Sequence, residues 1–538
     1  MVYPKRISVV IAGAGPTGLT TANLLASYGV DCVVLEREAA PLNLPRAIVL
    51  DDEGMRTLQA FGLHDSYAKK SLPAVGARYI ADDGTVFAET GAGSEDYGFP
   101  KRQYIYQPEL EDALRTRLEE KAPGTLQFSS EVVSFENHLH GVTVKARHAN
   151  GQTYTIEAQW LLACDGGRSP IREALNITMA GNTYSQDWIV LDTIGDADTS
   201  RFSKFFCSNT RPMVSIPAPN TGRRYEFMLL PGETRELVLQ PDFLASLLKP
   251  HRPYDEAQIL RKTVYTFHAR MAERLLDRRV ILMGDAAHMT PPFAGQGMNA
   301  GLRDAHNIAW KVAATIRGGA DAKILDSYES ERRKPAWDMI QLAVVMGDFV
   351  MPLSAEQIAF RNQLLTALQP FPAVRDYLVQ MRFKPKPRHG GGLYIDLDRP
   401  EFDASLVGEM IPQPELDIDG KKLRLDDMLG NGFALIAQDM NGVEALEALP
   451  LNGFAGLSLA KVFLPAETVE KARPFSTARP IRTHRDQILL VRPDRYCAAA
   501  FLPEDLAEGL TNYRTLLGSS NPESSSEISS AVEMRASL

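Results

Sequence analysis

The stretch Ile7-Ser8-Val9-Val10-Ile11-Ala12-Gly13-Ala14-Gly15-Pro16-Thr17-Gly18-Leu19 decides the fold. A short, mostly apolar run reads as a buried parallel strand and leads straight into Gly13-x-Gly15-x-x-Gly18. The first glycine permits a tight turn, the second lets a pyrophosphate approach the backbone, and the third lets helix pack on strand. A helix follows to about Tyr28, then an apolar strand over Asp31–Leu35 that ends at Glu36. A carboxylate about twenty residues past the glycines is placed to accept hydrogen bonds from ribose hydroxyls. Together these features predict a βαβ unit with a dinucleotide at its helix N-terminus. The motif by itself does not choose between FAD and NAD.

Two further strand ends narrow the choice. Val280–Met283 is apolar, and Gly284-Asp285 emerges from its carboxyl end, where open α/β sheets bind ligands. Asp285 reads either as an acceptor for a ribityl chain or as a helix N-cap. Gly295, Gly297 and Gly301 then lead into a helix from about Gly297 to Arg317, whose N-terminus can stabilise negative charge on a reduced flavin ring. This favours FAD. Asp165-Gly166-Gly167 follows the apolar run Trp160–Cys164, and taken alone is a strand–turn–helix feature. No second GxGxxG follows a strand, so a separate nicotinamide domain is not expected.

At 538 residues the chain exceeds one compact core. Strand-like alternation over Leu126–Leu162, helices at Gln107–Lys121 and Asp326–Val350, and β-rich sequence over Trp188–Leu239 divide it. The reading is α/β: a Rossmann-like FAD-binding domain in two parts, 1–185 and 276–383, with an inserted, mainly antiparallel β-sheet substrate domain over 186–275. A linker over 384–400, an α/β domain over 401–517 and a Ser-rich disordered tail over 518–538 complete it. A net charge of -9 argues against a nucleic-acid or anionic-membrane partner. Cys32, Cys164, Cys207 and Cys497 show no CxxC spacing, so no metal centre or dithiol is expected, and a cytoplasmic location suits them. No targeting or membrane-spanning run is visible.

The three motifs, in this order, resemble the class A flavoprotein aromatic hydroxylases, single-component FAD monooxygenases. The resemblance assigns Gly13, Gly15, Gly18 and Glu36 to the ADP half of FAD, and Asp165 and Gly166 to FAD and the nicotinamide cofactor. It assigns Gly284 and Asp285 to the ribityl chain. Arg46 in Pro45-Arg46-Ala47 matches an arginine at the flavin nucleotide, Gln107 a glutamine near the ribityl chain, and Met298 and Asn299, with Gly297 before them, the backbone amides at the flavin O2 edge. The segments Arg223–Met228, Pro231–Thr234, Tyr265–Arg270 and Met381–Pro385 resemble the members that act on 3-(3-hydroxyphenyl)propionate. The C-terminal part resembles the thioredoxin-like domain of phenol hydroxylases without its own CxxC, which implies an oligomeric or structural role, a homodimer included.

The resemblance implies that NADH or NADPH reduces FAD, that O2 adds to give a flavin C4a-hydroperoxide, and that a small phenolic acid is hydroxylated ortho to its hydroxyl. Resorcinol, hydroxybenzoate and polyketide phenols are alternatives, as is a non-oxygenating FAD-binding protein. His268 and Tyr225 are the candidate catalytic side chains, His268 because an imidazole titrates near working pH. Met213, Phe227 and Arg270 are the candidate substrate contacts, with core packing the competing reading for the first two. Arg223, Arg224 and Arg270 either pair with a substrate carboxylate or are surface charges. His288, beside Asp285, is expected to be structural.

Overall fold

The computed structural model describes residues 5–350, 354–371, 373, 374, 377, 386–397, 405–418, 420–465 and 484–518. Its central strand, Arg6–Ala12, runs parallel to Cys32–Leu35 on one side and to Thr153–Ala163 on the other. Val280–Leu282 adds in parallel beyond that. The register aligns Leu282, Ala163, Ala12 and Leu35 in one row across the sheet. The next residues along are the ones singled out above: Gly284-Asp285, Asp165-Gly166, Gly13 and Glu36. Motifs far apart in sequence therefore leave the sheet side by side, at its carboxyl edge.

Two helices cover this sheet. Pro16–Ser27 starts with a proline at its first turn, where a missing N–H costs nothing. It packs against Gly297–Ile316, whose Leu302, Ala305, Ala309, Val312 and Ala313 are buried as their spacing predicts. The other side of that helix is buried too, through His306, Asn307, Trp310 and Lys311. The helix Asp52–Gln59 begins where its acidic residues suit the dipole, with Asp51 Oδ1 accepting from Gly54 N at 2.9 Å.

The second sheet has eight strands in the order His288–Met289, Ile259–Ala272, Met179–Thr193, Gly222–Met228, Met213–Ala218, Phe202–Phe206, Gly76–Ile80, Val86–Thr90. It is antiparallel except where Phe202–Phe206 runs parallel to Gly76–Ile80. That hairpin comes from the first 100 residues, so the sheet is not one continuous insertion. A small sheet of Val49–Asp51, Arg102–Tyr104 and Leu72–Pro73 sits beside it, tied by Tyr104 Oη to Ser203 Oγ at 2.9 Å.

Beyond residue 405 a five-stranded sheet has the order Gly453–Phe454, Leu457–Phe463, Phe433–Ala437, Ile488–Val491, Cys497–Phe501. Its second and third strands are parallel and the other pairs antiparallel. The helices Met440–Ala448 and Leu506–Leu516 accompany it. Trp310 meets Phe433 edge to face at 5.5 Å, so one apolar cluster runs from the first sheet into this one. Composition made 384–400 a linker; its described part, 386–397, is not loosely solvated. His389 is buried and stacks on Tyr496 at 4.0 Å, and Leu393 N donates to Glu331 Oε1 at 3.0 Å. Of the tail expected over 518–538, all but Gly518 lies outside the described residues, as does Met381–Pro385. Among the described residues no helix is long and apolar enough to cross a membrane.

Candidate active site

Two adjoining cavities open along the row of motifs. The first is lined by Gly13, Gly15, Glu36, Arg46, Gln107, Asp165 and Gly166 among others. The second shares Gly15, Arg46, Gln107 and Gly166, and continues past Asp285, Gly297 and Met298 to the inner face of the second sheet. An elongated ligand laid along the sheet edge would thread both.

The glycines fall into two groups. A Cβ on Gly13 would lie 2.4 Å from Cys164 O, one on Gly18 2.1 Å from Gly13 O, and one on Gly284 2.7 Å from Thr17 Oγ1. Close packing of the polypeptide explains these three. A Cβ on Gly15, Gly166 or Gly297 would meet nothing within 4 Å, although all three line the cavities. Gly166 has a φ of +85°, which favours glycine by itself; at Gly15 and Gly297 the protein leaves room for a side chain, and the open space suits the approach of a ligand. The helix starting at Gly297 has no side-chain cap, so its first N–H groups are left for a ligand in the cavity. Asp165 Oδ1 is buried without a partner among the described residues. Phosphate, ribityl and ring-edge acceptors of FAD fit these openings and donors.

Glu36, Gln107 and Asn299 are held in place by hydrogen bonds. Glu36 accepts from Ala14 N at 2.8 Å and from Glu38 N at 2.9 Å, tying the second strand to the glycine loop. Gln107 Oε1 accepts from Ala47 N at 2.5 Å, while its Nε2 donates to Glu111 at 2.7 Å. Asn299 is buried; its amide donates to Val49 O and Gly295 O at 3.1 and 2.8 Å and accepts from Asp51 N at 3.1 Å. Its side chain therefore fixes the helix start, leaving only its backbone for a ligand. Burial pushes the Asp165 carboxyl up. Burial does the same to Asp285, opposed by His288 and Arg46, although its carboxylate faces the open cavity.

The turn at Gly284-Asp285 rests on Asp304, a residue that sequence reasoning missed. Asp304 accepts from Gly284 N at 3.0 Å and Arg332 Nε at 2.9 Å, and pairs with His288 Nε2 at 2.7 Å. Burial alone would raise its pKa, but His288 and Arg332 hold it well below the usual carboxylate range. A depressed carboxylate stabilises the fold above its unfolded pKa, and that stability is lost as pH falls through the folded value. Asp304→Ala is expected to cost about 3 kcal/mol at pH 7, read by thermal unfolding, because it strands a buried arginine. A loss under about 1 kcal/mol would contradict the role.

The second sheet corrects the substrate-side expectations. Met213, Tyr225 and Phe227 do not line the cavity; they pack with Leu191, Val238 and Leu244 on the opposite face. Tyr225 Oη donates to buried Asp196 at 2.9 Å. Residues alternate across a strand, so the cavity receives their neighbours: Val214, Ile216, Arg224 and Glu226, with Ser203 and Phe205. His268 and Arg270 do not line it either. The His268 ring meets Thr183 Oγ1 at 2.9 Å, and burial, Arg270 and Arg168 lower its pKa. Arg223 and Arg224 are not surface charges. Arg223 is buried and donates to Ser215 Oγ and to the carbonyls of Asp198 and Ser200. Arg224 pairs with Asp192 at 2.7 Å and donates to the carbonyls of Arg46 and Pro45 at 2.6 and 2.8 Å, so it clamps the loop that presents Arg46.

A parallel sheet with this edge, and a second sheet beside it, defines an FAD-binding protein with a substrate chamber. Residues 6–343 match the FAD binding domain family, and residues 408–516 match the HcaD C-terminal domain. The 3-(3-hydroxy-phenyl)propionate/3-hydroxycinnamic acid hydroxylase of Escherichia coli O81 (strain ED1a) is 34% identical over 532 residues, 96% of each chain. Its namesake from Shigella sonnei (strain Ss046) matches to the same extent. Among solved structures, the flavin-dependent monooxygenase PieE in complex with FAD and substrate superposes with a TM-score of 0.76 at 21% identity, covering 95% of this chain and 100% of that one. Aklavinone-11 hydroxylase with FAD and aklavinone gives 0.75 at 23%, covering 96% and 100%. The chain belongs to the FAD-dependent aromatic hydroxylases and is a flavin monooxygenase.

Proposed function

We propose that this enzyme hydroxylates a phenolic aromatic acid, 3-(3-hydroxyphenyl)propionate or its cinnamic analogue, ortho to the phenol oxygen, with NADH or NADPH as reductant and O2 as oxygen source. One observation carries the reading: the chamber continuous with the nucleotide edge sets an apolar stretch of Phe205, Val214 and Ile216 beside the charged side chains of Arg102 and Glu226. An aromatic ring fits that floor, beside the position the flavin ring takes at the start of the helix Gly297–Ile316.

Gly13, Gly15, Gly18, Glu36 and Arg46 would hold the ADP half, and Asp165, Gly166 and Gln107 the middle of the cofactor. Gly284 and Asp285 would take the ribityl chain, and the amides at Gly297, Met298 and Asn299 the ring edge. FAD, when bound, supplies hydride acceptance and oxygen activation. The protein orients the substrate and keeps water from the reacting atoms, to which the apolar Phe293 and Ala294 in the chamber lining contribute. For the C-terminal part we propose a thioredoxin-like fold in a structural role. Its strand order supports this, with a central parallel pair and antiparallel strands beyond it, and its single cysteine, Cys497, rules out dithiol chemistry there.

The test follows NADH and NADPH oxidation with O2 uptake and H2O2 release over a panel of 3-(3-hydroxyphenyl)propionate, 3-hydroxycinnamate, resorcinol and 3-hydroxybenzoate. The expected result is acceleration by the first two with a catechol product and little peroxide. Complete conversion of reductant to peroxide with every phenol would overturn the reading.

A further inference from the structure

We infer that Arg102 and Glu226 are the two polar ends of the substrate chamber, Arg102 receiving the carboxylate of the acid and Glu226 accepting the hydrogen bond of its phenol. This rests on the substrate class proposed above and assigns it residues.

Five charged side chains line the chamber: Arg46, Arg102, Arg224, Glu226 and Asp285. Arg224 is saturated by Asp192 and two carbonyls, while Arg46 and Asp285 stand at the nucleotide end that both cavities approach. Arg102 differs from Arg46 in lining the chamber but not the nucleotide cavity, and among the described residues no carboxylate lies within ion-pair distance of it. It shares a face of its short strand with Tyr104, two residues on, whose hydroxyl reaches Ser203 Oγ at 2.9 Å. Arg102 therefore stands over the Ser203 side of the floor. A guanidinium there, beside a hydroxyl and an apolar floor, suits a carboxylate bidentately.

Glu226 is buried, lines the same chamber, and makes no hydrogen bond through its carboxylate among the described residues; Arg224 Nη1 is 3.8 Å away. Such a carboxylate is costly unless something else donates to it. Val214 and Phe205 lie beside it in one row, Glu226↔Val214 and Val214↔Phe205. Two strand spacings, about 9.5 Å, separate the Glu226 strand from that of Ser203 and Phe205. A phenol and a carboxylate held apart by a benzene ring and two methylenes reach across that gap, with the ring on Val214, Ile216 and Phe205.

A hydrogen bond from the phenol to an ionised Glu226 pushes electron density into the ring, favouring attack by an electrophilic oxygen ortho to the phenol. Burial raises the Glu226 carboxyl, Arg224 lowers it, Asp192 on the neighbouring strand raises it and Arg261 lowers it. The hydroxylation rate then falls as pH drops through a value above the ordinary carboxylate range.

The test compares wild type, Arg102→Met, Arg102→Lys and Glu226→Gln as FAD-loaded proteins. The ligands are 3-(3-hydroxyphenyl)propionate and 3-ethylphenol, which lacks the carboxylate. Calorimetry gives binding, kinetics give turnover, and flavin content and thermal unfolding check folding. Arg102→Met is expected to weaken binding of the acid roughly a hundredfold and that of 3-ethylphenol less than threefold, with partial recovery in Arg102→Lys. Glu226→Gln is expected to lower kcat roughly a hundredfold with little change in affinity, and to erase the acid limb of the pH profile. Equal weakening of both ligands by Arg102→Met, or an unchanged acid limb in Glu226→Gln, overturns the assignment while leaving the substrate class intact. Failure of wild type to bind or turn over the acid overturns the substrate class itself, and the assignment with it.

Discussion

Gly15→Val is expected to yield a folded protein that no longer retains FAD. The glycine sits at φ −74° and ψ −179°, a backbone open to any residue, and a Cβ there meets no protein atom within 4 Å. The folding penalty is then the weak capping of valine at a helix N-cap, about 1 kcal/mol. The branched side chain fills the space through which a pyrophosphate must approach the helix N–H groups. Two or three charge-assisted hydrogen bonds at about 1.5–2 kcal/mol each make the loss roughly a hundredfold to ten-thousandfold in affinity. Flavin absorbance of the purified protein and calorimetric titration with FAD measure it, with thermal unfolding as control. Wild-type affinity in Gly15→Val would remove the pyrophosphate from this loop. Gly18→Ala should behave in the opposite way, failing in folding first, because its Cβ would lie 2.1 Å from Gly13 O.

That contrast shows which parts of the site were legible in the sequence. The nucleotide edge was legible because each piece carries its signal locally: an apolar strand, a glycine or acid at its end, a helix after it. The register then aligns Ala12, Leu35, Ala163 and Leu282, which no single segment announces but parallel βαβ winding requires. The substrate side was not legible, and Gly222–Met228 shows why. The strand is buried on both faces almost throughout, so its alternation of Arg224 and Glu226 with Tyr225 and Phe227 does not say which face meets the ligand. Aromatic residues looked like pocket walls, yet they pack beneath Val238, Leu244 and Leu248, and the polar pair faces the chamber. Arg102 had no signal at all, since its strand reaches the chamber from outside the inserted segment. The parallel pairing of Phe202–Phe206 with Gly76–Ile80 spans too much sequence to leave a local mark.

Glu331→Ala is expected to destabilise the fold by about 3–5 kcal/mol at pH 7. Glu331 is fully buried where the helices Ser327–Val350 and Gly297–Ile316 meet the C-terminal sheet. Oε1 accepts from Arg492 Nη1 at 2.8 Å and from Leu393 N at 3.0 Å; Oε2 accepts from Arg492 Nη2, Lys311 Nζ and Asn307 Nδ2 at 2.8, 2.7 and 2.7 Å. Removing the carboxylate leaves Arg492 with Asp494 alone, and Lys311 with only the Asn307 amide oxygen at 2.9 Å. Burial has already pushed Lys311 down to about 8 even with Glu331 beside it, so without that partner it sheds its proton. The C-terminal sheet then loses its polar anchor to the nucleotide domain, and calorimetry is expected to resolve two transitions in the variant and one in wild type.

The pH dependence separates this cluster from its neighbours. Burial lowers His306 to about 4 and His389 to about 3, so the unfolded chain binds their protons first and stability falls as pH drops below about 6.5 in wild type and variant alike. Burial would raise Glu331, but Arg492 and Lys311 hold it well below the ordinary carboxylate range. Its contribution is complete above the unfolded glutamate value of about 4.3 and is lost only as pH falls toward the folded one. Because Lys311 is neutral in the folded variant and charged in its unfolded chain, the variant's curve should descend more steeply than wild type's below pH 7 until that lysine is protonated, and the two should converge only below about pH 4.5. Convergence already near pH 6 would mean that the histidines, and not Glu331, hold the two sheets together.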